Sequence, residues 1–380
     1  MTDALGATDE SAGTGEPDGA AKSHGAVESD GTTDPDGSAD PGQATESDET
    51  TEAPPAPKRK PWSRRRKAVV GLVGLVTLSL FALGGCAAWV LYSLNSNIKR
   101  IDGVFDRSSI PAAGPRPPAD PVAGRALNIL LVGMDAAAAG ADPEALEGRR
   151  SDTMMILHLP SDRGSISAIS LPRDSWVAIP GHGEAKLNAA FSWGGPALLV
   201  ATIENLTGVR IDHYAAVDFG GFKGMVDALG GVTVDADRGE AKLDGNEALK
   251  FVRQRYGLER GDLDRVAHQQ QLLGAIAEKV AAEGVLGSPL RTENLLQALT
   301  KSLTVDDDMN FRFMLDLATD LKGINEADLA FRTAPVAGFG ERGGGQSVVL
   351  LDDKRCKELF AAVRADIPWP EPAEGELWRP

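Results

Sequence analysis

One stretch of this chain stands apart in its hydrophobic pattern. Ala68 to Leu94 runs for 27 residues without a charge, longer than the roughly 20 residues a helix needs to cross a bilayer. Trp89 and Tyr92 sit near its far end, where interfacial aromatics collect. Beyond it the apolar runs are short and bounded by turn residues. Leu127–Val132, closed by Gly133, reads as a buried strand, as do Thr153–Leu159 and Ser165–Leu171. Pro160-Ser161-Asp162-Arg163-Gly164 carries turn chemistry, so the last two strands should form an antiparallel hairpin. Helical spacing predicts helices over 195–207, over 219–229 (ended by Gly230-Gly231) and over 262–283. Asp244, with Glu247 three residues on, has the spacing of a capping box. Strands are expected near 213–218 and over Val232–Val234. The remainder reads as helices over 291–302, 310–322 and 352–364, with strands over 328–333 and 346–351. This alternation predicts an α/β fold, an α-β-α sandwich whose central sheet is mixed because of the hairpin.

Charge divides the chain further. The net charge of −16 is concentrated at the start: residues 1–57 hold fourteen Asp and Glu against one Lys. That segment has almost no large apolar side chains and cannot offset its ordering entropy, so it reads as disordered. Seven Lys and Arg crowd residues 58–67, just before the apolar stretch. The positive-inside rule then places the N-terminus in the cytoplasm and residues 95–380 outside. The expected organisation is an acidic tail with its basic end (1–67), a transmembrane helix (68–94), a Pro-rich extended linker (95–121), a globular domain (122–368) and a short tail (369–380). Leu83-Gly84-Gly85-Cys86 also has the look of a lipoprotein cleavage box, but the apolar run continues past Cys86. No basic stripe dominates the globular part, which disfavours nucleic acid as a partner. Two cysteines, Cys86 and Cys356, exclude a disulfide scaffold, and no HExxH, Walker or GxSxG motif occurs. His158, His182, His213 and His268 lack ligand spacing and read as structural or surface residues.

The candidate chemistry follows from strand ends. Asp135 lies just past the first strand, where open α/β sheets bind ligands. A hairpin brings Arg150, Ser151 and Asp152, before strand two, beside Arg173 and Asp174, after strand three. Asp carboxylates and two guanidiniums at one rim suit an Mg²⁺-bridged phosphate or pyrophosphate, or else weak surface ion pairs. On the long helix, Asp262, Arg265 and Gln269 project within about 60° of one another, on the apolar side. Asp264, His268, Gln271, Glu278 and Lys279 take the opposite side. Charges turned inward are costly unless paired or bound to something. Arg253 and Arg255 add guanidiniums near the end of the capped helix, where they could also serve its dipole.

At these residues the chain resembles the LytR–CpsA–Psr family of cell-wall glycopolymer transferases. The matching stretches are NILLVGMD (128–135), RSDTMMIL (150–157), ISLPRDSWVAIPG (169–181), KLNAAFSWGGP (186–196), LDGNEALKFVRQR (243–255) and GDLDRVAHQQQ (261–271). The resemblance implies transfer of a phosphate-linked glycopolymer from a polyprenyl-pyrophosphate carrier to peptidoglycan, with pyrophosphatase activity as a side reaction. It implies Mg²⁺ on Asp135 and Asp152, and a pyrophosphate grip by Arg150, Arg173, Arg253, Arg255 and Gln269. Asp262 and Arg265 would orient that cluster, and Lys186 and Asn188 fall in a motif near it. The general base stays open among Asp152, Asp174 and Asp262. An apolar cavity between sheet and helices would take the lipid tail. Ala137 stands where the family usually has Arg, and His268 where it usually has Arg before the Gln. The alternative is a non-catalytic protein that binds polyprenyl lipid or regulates the envelope.

Overall fold

The computed structural model describes residues 64–119, 125–134, 151–236, 239–254, 262–282, 289–321 and 323–369. The first element is α1 (Arg64–Asn97), whose apolar window is not buried by the protein. At 1.5 Å per residue its uncharged part alone spans about 40 Å, beyond the ~30 Å hydrocarbon core. It is long and apolar enough to cross a membrane.

A seven-stranded mixed sheet forms the centre. Its strands are β1 (Lys99–Ile101), β2 (Leu127–Met134), β3 (Ser151–Leu159), β4 (Ile166–Ser170), β7 (His213–Asp218), β10 (Leu303–Asp306) and β11 (Leu329–Thr333), in the spatial order β1-β10-β7-β2-β3-β4-β11. β2 runs antiparallel to β3, and β3 to β4, so the expected hairpin is present. β2 and β7 are parallel, as are β4 and β11. Met134 pairs with Ser151 on one side and Asp218 on the other. One end of the sheet therefore gathers the close of β2 and β7, the start of β3 and the close of β4.

Three small hairpins decorate it: β5 (Trp176–Ile179) with β6 (Gly183–Lys186), β8 (Val232–Ala236) with β9 (Gly239–Leu243), and β12 (Val336–Arg342) with β13 (Gln346–Leu351). One sheet face packs on α2 (Leu187–Thr207) and α8 (Asp353–Arg364), where Leu130, Val132, Met154, Ile156 and Ile169 meet Phe191, Leu199, Ile203 and Phe360. The opposite strand positions, Ile129, Leu131, Leu157 and Ala215, meet Phe313 and Leu317 of α7 (Phe311–Asp320). A second cluster joins α3 (Phe219–Ala228), α4 (Gly245–Arg253), α5 (Asp262–Ala282) and α6 (Pro289–Ser302). The architecture is the α-β-α sandwich expected from the alternation of elements.

The expectation of an extended linker over 95–121 is corrected where it is described. Lys99–Ile101 pairs with β10 at the sheet edge, and Ile98, Val104 and Ala113 are buried. Arg107 and Arg116 reach the fully buried carboxylate of Glu204 on α2, at 2.6 and 2.8 Å. A Pro-rich composition set the expectation; two guanidiniums bound to a buried acid fix the segment to the domain instead. α2 also starts earlier than the expected residue 195. The helix expected over 195–207 is its second segment: Gly194 and Gly195 have non-helical dihedrals, Gly195 at φ 61°, and two helical segments meet across that kink, the first of them unexpected.

Candidate active site

The site is built from Arg173 outward. The chain leaves β4 through Leu171 and Pro172, with the Leu171 N–H donating to the Met154 carbonyl at 2.8 Å. That bond keeps the end of β4 beside the start of β3, so the Arg173 guanidinium donates to the Asp152 carboxylate. Its Nε lies 3.6 Å from Asp174 Oδ2, and Lys186 Nζ lies 3.1 Å from Asp174 Oδ1. Lys186, Asp174, Arg173 and Asp152 thus form one line of alternating charge. The guanidinium and both carboxylates are largely shielded from solvent. Backbone bonds hold the line in register. The Leu187 N–H donates to the Ser175 carbonyl at 2.8 Å, and the Asn188 N–H to the Arg173 carbonyl at 3.0 Å. No side chain caps α2. The loop carbonyls accept N–H groups that the first helical turn otherwise leaves unsatisfied.

The helices on the other face supply the second half. Asp244 accepts from the N–H groups of Asn246 and Glu247 at 2.8 Å, and Glu247 accepts from the Asp244 N–H at 3.0 Å, which is the expected capping box. Asp227 accepts the Gly245 N–H at 2.8 Å and ties the start of α4 to α3. The last residue of α4, Arg253, then lies over the Phe219 ring with its guanidinium carbon 4.8 Å from the centroid. Arg265 and Gln269 of α5 are buried, on the side the helical projection gave. Asp152, Thr153, Phe219, Val252, Arg253, Arg265 and Gln269 line one small cleft. Residues separated by more than a hundred positions in sequence meet there.

Asp135, Arg150 and Arg255 lie outside the described residues, as do Ala137 and its loop. So does the side chain of Asp262, the first residue of α5. His268 corrects the projection. It is half-buried and stacked on Phe251, ring centroids 4.2 Å apart. Gln271 likewise donates to the Asp235 carbonyl. α5 packs against α4 and the β8–β9 hairpin, so the face opposite the sheet is not solvent. Gln270 carried no signal in sequence. It is buried and donates to Ser170 Oγ at 2.9 Å and the Arg332 carbonyl at 2.8 Å, pinning α5 to the sheet beside Gln269.

A cavity of about 1130 Å³ opens along α5 from Gln270 and Gln271 to Glu278. Val234, Ala267, Ala275, Leu329 and Phe331 give it apolar wall, but Asp235, Glu240 and Glu278 also line it. Its walls are therefore more polar than the expected greasy tunnel.

The donor set bears on a metal ion. Mg²⁺ takes oxygen ligands and is commonly shared between one or two carboxylates and substrate phosphates. Among the described residues lining the cleft, Asp152 is the carboxylate, and one of its oxygens already accepts from Arg173. That fits an ion bridged to substrate phosphates rather than an all-protein cage. The three adjacent acids Asp306, Asp307 and Asp308 could also meet around an ion. Asp306, however, is committed to the N–H groups of Tyr214 and Met309, at 2.8 and 3.0 Å.

A family model described as the LytR_cpsA_psr family matches residues 112–365. The chain belongs to the LytR_cpsA_psr family. A probable cell wall biosynthesis protein, LcpB of Corynebacterium glutamicum, is 32% identical over 331 residues, covering 81% of this chain and 74% of that protein. The polyisoprenyl-teichoic acid–peptidoglycan teichoic acid transferase TagU of Oceanobacillus iheyensis is 29% identical, covering 80% and 96%. The crystal structure of B. subtilis TagV superposes with a TM-score of 0.53 at 24% identity, covering 64% of this chain and 98% of that one. That last likeness concerns the fold of LytR_cpsA_psr proteins, and it agrees with the sandwich described above.

Proposed function

We propose that this LytR_cpsA_psr protein is a transferase that moves a phosphate-linked glycopolymer from a polyprenyl-pyrophosphate carrier to peptidoglycan. The observation that carries this reading is the convergence of Arg253, Arg265, Gln269 and the Arg173-bound Asp152 on one cleft. Guanidiniums grip phosphate oxygens through fixed, charge-assisted hydrogen bonds. Phosphoryl transfer asks mainly for positioning and charge neutralisation. A sugar hydroxyl of the acceptor attacks the phosphorus nearer the donor glycan. A new O–P bond forms, the bridging P–O bond breaks, and polyprenyl phosphate leaves with the electron pair. The hydroxyl proton passes to a rim carboxylate. Arg253 and Arg265 meet the charge developing on the leaving phosphate, and Arg173 holds Asp152 in place. Mg²⁺ on Asp152, with Asp135 as the expected second ligand, supplies further charge neutralisation on the phosphates when bound. Water in place of the acceptor would give a slow pyrophosphatase side activity. α1 crosses the membrane once, with the basic residues 58–67 on the cytoplasmic side and the domain outside.

The test uses the full chain in proteoliposomes with a polyprenyl-pyrophosphate glycan, Mg²⁺ and peptidoglycan fragments, with products read by mass spectrometry. Arg253→Ala and Asp152→Ala should each lower transfer by about 10²–10³-fold, the usual loss of one electrostatic contact to the transition state. Their circular dichroism should stay that of the parent. Undiminished transfer in both variants would count decisively against the proposal.

A further inference from the structure

Trp193 is half exposed, at 51%, on the first segment of α2. A single exposed aromatic ordinarily needs no explanation. This one is held in place. His182, in the turn of the β5–β6 hairpin, lies against it with ring centroids 5.1 Å apart and planes inclined by 34°. The hairpin is itself fixed to the site, because its first strand begins two residues after Asp174 and its last residue is Lys186. Trp193 is also seven residues beyond Lys186, the N-cap residue of α2, about 10 Å along the axis. Just past it, the helix kinks at Gly194 and Gly195. A Cβ on Gly194 would come within 2.6 Å of Leu198 Cβ, so this bend requires glycine. The chain keeps a braced, outward-facing indole two turns from the Lys186–Asp174–Arg173 line.

We infer that Trp193, backed by His182, is a glycan subsite that stacks one pyranose ring of the acceptor strand. An indole face carries negative charge density, and the axial C–H groups of a pyranose present a slightly positive apolar face to it. The exposed indole face offers the apolar half of such a contact, and polar residues of the neighbouring hairpin can meet ring hydroxyls. The acceptor is favoured over the donor by placement. The guanidiniums of Arg253 and Arg265, and the cavity along α5, lie on the helical layer opposite α2. A donor seated by its phosphates and lipid there leaves the α2 side of Asp152 and Arg173 open to the incoming strand. This inference rests on the transfer reading for its direction, but glycan binding is measurable without transfer.

The experiment titrates full-length protein in proteoliposomes with a four-sugar peptidoglycan glycan fragment free of lipid and stem peptide, and separately with inorganic pyrophosphate. Trp193→Ala should weaken glycan binding at least about tenfold, and Trp193→Phe should keep most of it, since a phenyl ring also stacks. Pyrophosphate binding should be unchanged in Trp193→Ala and lost in Arg253→Ala, while Arg253→Ala leaves glycan binding intact. In the transfer assay, Trp193→Ala should raise KM for the acceptor and leave KM for the donor unchanged. Equal glycan affinity in the parent and Trp193→Ala overturns the subsite, as does no measurable glycan binding by the parent. Brominated lipids provide the remaining control. If they quench the parent measurably more than Trp193→Phe, in which Trp89 still reports the bilayer, the indole of Trp193 sits in the bilayer interface and the glycan assignment falls. Absence of transfer alongside Trp193-dependent glycan binding would defeat the proposed reaction and leave the subsite standing.

Discussion

Arg173 serves two carboxylates with one planar fork, and that geometry makes it the least replaceable residue of the line. It donates to Asp152 and lies beside Asp174, which Lys186 also holds. A lysine there would be a point charge on a flexible stem and could not serve both acids in fixed geometry. Arg173→Lys should lower kcat/KM for transfer by about tenfold or more with the fold intact. Parent-like kinetics would show that Asp152 needs no orienting partner. The sequence made much of this cluster legible, because a hairpin dictates which strand ends meet. Arg265 and Gln269 were legible from helical projection. His268 was not: the projection assumes one buried face, and α5 has α4 on its other side. Gln270 and Glu204 were invisible, since a polar residue in sequence does not announce the buried acceptors or guanidiniums that satisfy it.

The capping box and the helix kink carry the clearest consequences among the elements. Asp244 caps α4 and thereby sets where Arg253 emerges. Removing an N-cap acceptor costs typically about 1 kcal/mol. Asp244→Ala should lower the midpoint of thermal unfolding by a few degrees and weaken pyrophosphate binding modestly. At the kink, Gly194→Ala should destabilise by about 1–3 kcal/mol through overpacking against Leu198, read as a shifted denaturant midpoint with an unchanged slope. The hairpin and the capped helix were predictable because turn and cap residues act locally. β6 was missed because four residues, Gly183–Lys186, exposed at their start, show no alternation of apolar and polar positions. β1 and β10 were missed for a related reason. Each is short, and each is a strand only through partners distant in sequence: β1 through β10, and β10 through both β1 and β7.

Across the whole molecule, acid sensitivity is built in at the end of the sheet away from the cleft. Burial pushes the His158 imidazole below its ordinary value, although Asp366, 3.2 Å away, opposes this. The folded state therefore prefers neutral His158, while the unfolded chain takes up its proton near pH 6.5. Stability should fall as pH drops through that point. For Asp366, burial raises the pKa, but hydrogen bonds from Ser161 and His158 outweigh it and hold the carboxyl low. That contribution is present above about pH 4 and is lost below it, as pH falls through the folded-state value. Calorimetry from pH 7.5 to 5.5 should show a declining unfolding temperature, and a shallower decline in His158→Gln. Identical slopes would locate the acid sensitivity elsewhere. Connectivity at this scale has one more implication. α1 ends at Asn97 and β1 begins at Lys99, with a single residue between them. β1 enters the sheet beside the carboxyl end of β7, the same end that holds the cleft. With α1 in a bilayer, the enzyme has almost no leash. With the domain on the outer side, as proposed, its reach is a thin shell above the lipid, so only wall strands still close to their site of synthesis would come within range, and mature layers farther out would not be modified.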